Sequence, residues 1–280
     1  MVKRMITAVC AICVMIPVLF FADTLALPIG LSIVSVVAVF ELARCMGIQK
    51  HIGLLLPIYV CAGALPIMSR LFRDNMFRFA RFAFIFGIFF LMYMFVLIIC
   101  SHGKLQINDC LSFFIIALYV QLALCAIIYI HDVRPSGEYI YLLIFLGAWI
   151  TDSFAYFTGL LFGKHKLIPD VSPKKTVEGA IGGTVFCVIS YLVYGLILIN
   201  FFGVKANLLL LGISAIFVAE IAQIGDLIMS VLKRHYNIKD FGSFFPGHGG
   251  MLDRFDSILA VSIAIAAVYM VSKVVGVPLM

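Results

Sequence analysis

The chain predicts an all-α, polytopic helical membrane protein of about nine transmembrane helices, and three observations carry that expectation. Of 280 residues, 64% are hydrophobic. Only 12% are charged, where a soluble domain has roughly a quarter. Mean hydropathy is +1.16. The apolar runs are continuous and near the ~20 residues that a helix needs to cross the hydrocarbon core. They lack the period-two alternation of barrel strands, so helices alone satisfy the backbone in lipid. Twenty-six Phe against one Trp suit lipid-facing surfaces.

Taken in order, the expected spans are 5–22, 25–43, 52–69, 79–100, 110–130, 139–162, 177–202, 207–229 and 257–275. Lys3 and Arg4 precede the first, but Met15–Leu25 lacks a small-x-small cleavage site, so that segment is expected to be retained. The third contains Pro57 and Pro66. Thr176 is placed to cap the seventh. Thirteen Lys and Arg fall in the N-terminus and the loops 44–51, 101–109, 163–176 and 230–256, against seven on the other side. The first set is therefore expected in the cytoplasm, with the protein in the plasma (inner) membrane. Arg70, Arg73, Arg78 and Arg81 oppose this rule. Either 52–69 does not cross fully, or these arginines lie on an interfacial helix.

The eight cysteines sit mostly within apolar runs. Cys10 and Cys13, one turn apart, read as packing residues, since no second Cys or His pair follows at metal spacing. The net charge of +6 gathers in connecting loops and suits anionic head groups or phosphates rather than nucleic acid.

Ionisable residues divide the chain. Residues 1–138 read as anchoring helices. Residues 139–280, with loops 163–176 and 230–256, read as the catalytic region. Asp152, Glu178, Glu220, Asp226, Asp253 and Asp256 lie within or beside spans there. A carboxylate inside a membrane span is costly, and so suggests function. On one helix, Asp226, Ser230 and Lys233 share a face that could hold a metal and a phosphate. An interfacial helix end with snorkelling bases would look the same. Gly247, Gly249 and Gly250 could bring backbone N–H groups to an anion. Asp253 and Asp256, one turn apart, are hard oxygen donors suited to Mg²⁺. In 163–178, Lys174 and Lys175 precede a helix N-terminus, where a nucleotide phosphate would offset the dipole. A positive-inside loop accounts for them equally well. His165, His235 and His248 form no zinc pattern, and Gly159–Lys164 has the wrong spacing for a Walker A loop.

The stretch Ser230-x-Leu232-Lys233-Arg234-x₄-Lys239-Asp240-x-Gly242-x₂-Phe245-Pro246-x-His248-Gly249-Gly250-Met251-x-Asp253-Arg254-Phe255-Asp256 resembles the signature of phosphatidate cytidylyltransferases. Asp152-Ser-Phe-Ala155-Tyr156 with Phe162-Gly163-Lys164, and Ser172-Pro173-x-Lys175-Thr176-x-Glu178-Gly179, are similar to further motifs of the family. The resemblance covers 149–256. Phe154 departs from it, standing where a small residue is usual.

The resemblance implies that a phosphatidate oxygen attacks the α-phosphorus of CTP and that pyrophosphate leaves, with CDP-diacylglycerol as product. It implies Asp226 and Asp253 as metal ligands, with Asp256 and Asp152 as further candidates, for Mg²⁺ and a second cation if one binds. Asp226, Asp253, Lys233 and Lys239 are the implied catalytic residues. Ser172, Lys175, Thr176, Ser230, Arg234, His248, Gly249, Gly250 and Arg254 are those implied to bind substrate. The partners implied are CTP, phosphatidate, membrane lipid and a second copy in a homodimer. A cytidylyltransferase of ether lipids would read alike. A CDP-alcohol phosphotransferase would need D-G-x-x-A-R, which is missing. A transporter using Asp152, Glu220 and Asp226 is disfavoured by the clustering of acids with Gly- and Lys-rich loops.

Overall fold

The computed structural model describes residues 13–101, 106–245 and 249–280. Its long helices are α1 (Ala26–Cys45), α2 (Ile52–Leu71), α3 (Met76–Cys100), α4 (Ile107–Asp132), α5 (Leu142–Phe162), α6 (Val177–Phe202), α7 (Leu208–His235) and α8 (Leu252–Val275). All but α2 are long and apolar enough to cross a membrane, α5 doing so together with the short turn Gly137–Ile140 before it. This is an integral membrane protein.

Seven such helices, not nine, stand among the described residues. The expected span 52–69 corresponds to α2, whose described apolar stretch, Leu55–Leu71, is shorter than the others. Of the expected span 5–22, residues 5–12, with Cys10, lie outside the described residues; 13–20 is helical. Among the described residues the one sheet is a two-stranded antiparallel hairpin, β1 (Lys166–Ile168) with β2 (Ser172–Thr176), which the sequence presented only as a loop.

The chain forms two compact units. One joins Met1–Asp132 to Tyr236–Arg254; the other joins Val133–His235 to Phe255–Met280. In the first, α1, α2 and α4 pack together around Val39, Leu42, Ile58, Val120 and Leu124, all buried. Pro66 has no N–H, so the Ala62 carbonyl four residues back has no helical donor. Ser35 Oγ on α1 supplies one at 2.7 Å, and Gln121 Nε2 on α4 donates to Ser35 Oγ at 2.6 Å. Three helices are thereby tied at the proline.

Arg70, counted in the sequence among loop arginines, is buried at the end of α2. It pairs with Asp132 at 2.9 Å and donates to the carbonyls of Ala22 and Asp23. The ion pair and the two carbonyls offset the cost of burying the charge. Asn75 caps α3 by accepting from Arg78 N–H, so Arg78 and Arg81 belong to the first turns of a helix. Only 17% of the α3 apolar window is buried, and Phe77, Phe84 and Phe89 are exposed.

In the second unit, α5 and α6 approach through small residues. A Cβ on Gly179 would meet the Ala155 carbonyl, and one on Gly183 the Thr151 carbonyl. This is the close backbone approach that small-xxx-small spacing permits in membranes. Thr176 caps α6 as expected, accepting from Gly179 N–H at 3.1 Å. Phe154 stacks on Phe186 of α6 at 3.9 Å between ring centroids, which gives the departure at 154 a packing partner.

Candidate active site

In the second unit, α7 and α8 approach at Gly225, where a Cβ would meet Ala260 Cβ and the Asp256 carbonyl. The next residue, Asp226, is paired with Lys175 of β2, Nζ to Oδ2 at 2.6 Å, with both side chains about a quarter exposed. Lys175 also donates to the Gln223 carbonyl at 3.4 Å. Asp256, one helical turn into α8, lies within electrostatic reach of Asp226, Asp152 and Lys233. Asp152, near the middle of α5, accepts from Ser257 Oγ at 2.7 Å. Three carboxylates from three helices thus gather beside two lysines.

The rest of this unit's expected residues are distributed around that group. Ser230 follows Asp226 by one turn and is half-buried. Lys233 lies within electrostatic reach of Asp256. Arg234 donates from Nε to the Val171 carbonyl in the hairpin loop at 3.3 Å. Ser172 opens β2, half-buried. Thr176 is buried, with its hydroxyl committed to the α6 cap. Glu178 accepts from the Lys164 and His165 N–H groups and pairs with His165 Nδ1 at 2.6 Å, fixing the exit of α5 to the start of α6.

In the first unit, residues 236–245 and 249–254 are folded about two carboxylates. Asp253 is buried, and its Oδ2 accepts from Phe241 N–H at 2.8 Å and Gly250 N–H at 2.9 Å. Glu41 of α1, also buried, accepts from Met251 and Leu252 N–H, each at 2.9 Å. Of the glycines expected to cradle a phosphate, Gly250 gives its N–H to Asp253, and the next two amides go to Glu41. Gly249 holds φ +85°, which few L side chains adopt. Lys239 and Arg254 are exposed. Tyr236 donates to Asp109 at 2.9 Å; burial, with that carboxylate beside it, raises its hydroxyl pKa well above the usual tyrosine range. His248 lies outside the described residues.

Glu41 is not among the residues that the resemblance implies, although it lies within the expected span 25–43. The signal was present: a carboxylate inside an apolar span, subject to the same insertion cost that drew notice to Asp152.

The model of the cytidylyltransferase family matches residues 2–272. The chain belongs to this family. It is 45% identical over 133 residues to a phosphatidate cytidylyltransferase of Staphylococcus saprophyticus and 44% identical over 133 residues to that of Staphylococcus haemolyticus. In both cases the match covers 48% of this chain and about half the relative's length, 50%. With the phosphatidate cytidylyltransferase of Staphylococcus aureus strain COL it is 33% identical over 260 residues, 92% of this chain and 95% of that one. The stretch 230–256, which resembles the signature, runs from the last turns of α7 to the first turns of α8.

The donor chemistry of the Asp152, Asp226 and Asp256 group fits Mg²⁺, which takes hard carboxylate oxygens and keeps waters and phosphate oxygens as its other ligands. The ammonium of Lys175 already sits against Asp226 as a cation. Among the described residues, no three such side chains converge on one metal-sized point.

Proposed function

We propose that this chain makes CDP-diacylglycerol from CTP and phosphatidate, as a phosphatidate cytidylyltransferase. The observation that carries the reading is the meeting of Asp152, Asp226 and Asp256 with Lys175 and Lys233 inside a membrane-spanning unit of a chain belonging to this family. In the reaction, a phosphatidate oxygen forms a bond to the α-phosphorus of CTP. The α–β phosphoanhydride bond breaks, and its electron pair leaves on pyrophosphate. The attacking oxygen is already ionised near neutral pH, so no general base is needed. Positioning and neutralisation of charge are the tasks left to the protein.

Asp226 and Asp256, with Asp152, would hold Mg²⁺, and Asp253 is the further ligand that the signature implies. A metal supplies charge neutralisation at the phosphate oxygens. Lys175 exchanges Asp226 for a phosphate oxygen when substrate arrives. Lys233, Lys239, Arg234 and Arg254 neutralise the triphosphate, while Ser172, Thr176, Ser230, His248, Gly249 and Gly250 line the substrates. Residues 139–280 carry the chemistry and 1–138 the anchoring. The site faces the cytoplasm of the plasma membrane, which the Lys and Arg excess in 163–176 and 230–256 supports. A homodimer is the expected assembly.

Purified protein given CTP and phosphatidate should release pyrophosphate with Mg²⁺ and stop on chelation. Absence of pyrophosphate release under these conditions overturns the reading. Faster turnover of an ether-linked phospholipid would reassign the lipid substrate.

A further inference from the structure

Glu41 lies near the C-terminal end of α1, far in sequence from the family signature, yet both its carboxylate oxygens are spent on that signature. Oε1 accepts from Met251 N–H and Oε2 from Leu252 N–H, each at 2.9 Å. These amides open α8, where backbone N–H groups have no helical partner and favour an anion. The same carboxylate explains two glycines. A Cβ on Gly242 or on Gly250 would fall inside the van der Waals shell of the Glu41 carboxylate. Asp253 is held against the same loop by Phe241 and Gly250 N–H. Glu41 and Asp253 therefore divide the amides of one loop between them, Gly250 touching both. Glu41 is 3% exposed and Asp253 7%, which leaves neither room to swing.

We propose that Glu41 is a positioning residue for the cytidylyl transfer. It fixes the Gly-rich loop and the first turn of α8, and through them the carboxylate of Asp253. The inference rests on the reading of Asp253 as a metal ligand. Outer partners that orient a ligand typically change metal affinity when removed, by about ten- to a hundredfold.

The test uses the full-length protein in nanodiscs, without substrate. Glu41→Gln, Asp253→Asn and, as a control on another buried hydrogen bond of the same unit, Ser35→Ala are compared with wild type. Mn²⁺ binding is read by electron paramagnetic resonance, and hydrogen exchange is followed at the amides of Met251 and Leu252. Glu41→Gln should weaken Mn²⁺ binding about tenfold or more and speed exchange at both amides, while Ser35→Ala does neither. Mn²⁺ affinity within about twofold of wild type in Glu41→Gln, with Asp253→Asn clearly weakened, overturns the positioning role. Unchanged binding in both overturns the assignment of Asp253, and with it this role. If Glu41→Gln does not fold, Gly242→Ala, which presses on the same carboxylate from the loop side, is judged by the same criteria.

Discussion

Glu41 and Asp253 accept hydrogen bonds from backbone N–H groups of Met251, Leu252, Phe241 and Gly250. Asp226 and Asp152, in the other unit, face side chains instead: the ammonium of Lys175 and the hydroxyl of Ser257. The physical difference is one of exchange. A backbone amide cannot leave without unfolding its loop, and a buried amide left unpaired costs about 1–3 kcal/mol. An ammonium on four methylenes can swing to a new partner at modest cost, mostly in rotamer freedom. The first pair of carboxylates therefore belongs to scaffolding, whatever else Asp253 does. The second is built to trade partners, as a site that takes up cations and phosphates must.

Substitutions can break or sharpen that contrast. The largest effect is expected from Asp226→Asn, which keeps volume and removes charge: turnover should fall about a thousandfold or more, with the size-exclusion profile unchanged. Near-normal turnover of the purified variant in Mg²⁺ would remove Asp226 from the site. Lys175→Met should lower kcat/KM for CTP about ten- to a hundredfold, the range for losing a hydrogen bond to a charged group. A loss confined to folding yield, with normal kcat/KM, would make Lys175 a structural partner only. Asp253→Asn separates the two classes most sharply. It should destabilise the protein by about 1–3 kcal/mol, because a neutral amide oxygen accepts from the two N–H groups more weakly than an ionised carboxylate does, whereas Asp226→Asn should leave stability nearly as it was. Equal thermal midpoints for the two variants would erase the distinction. The smallest effect belongs to Ser257→Ala, which removes one hydroxyl from Asp152 and should slow turnover about threefold to tenfold. No measurable change would show that Ser257 does not orient that acid.

The sequence made some of this legible and hid the rest for identifiable reasons. The seventh expected span, 177–202, coincides with α6 because its start is chemical: a Thr176 cap that the structure uses. The helical stripe of Asp226, Ser230 and Lys233 was legible too, since α7 runs on to His235 and keeps all three on one helix. The hairpin of β1 and β2 was not, being short, polar and interrupted by Pro169 and Pro173, so that no alternation marks it. Periodicity also could not reveal that Arg70 is neutralised by Asp132, because the pair joins helix ends 62 positions apart. The same holds for the Gly-rich loop. Glycines that admit an external phosphate and glycines that make room for a neighbouring carboxylate look alike in one dimension. Only the tertiary position of Glu41 shows that Gly242 and Gly250 make room for a carboxylate.

The glycines between α5 and α6 have a mechanical corollary. Where Gly179 and Gly183 lie against the carbonyls of Ala155 and Thr151, backbone meets backbone, and the side chains beside them, Thr176 and Ala155, are short. The two helices should then move as one plank, with Asp152 carried on it. A lipid seeking lateral entry should not part that seam, and a spin-label pair across it should report a fixed distance through the whole catalytic cycle. Whatever breathing this unit undergoes must occur along its other joints.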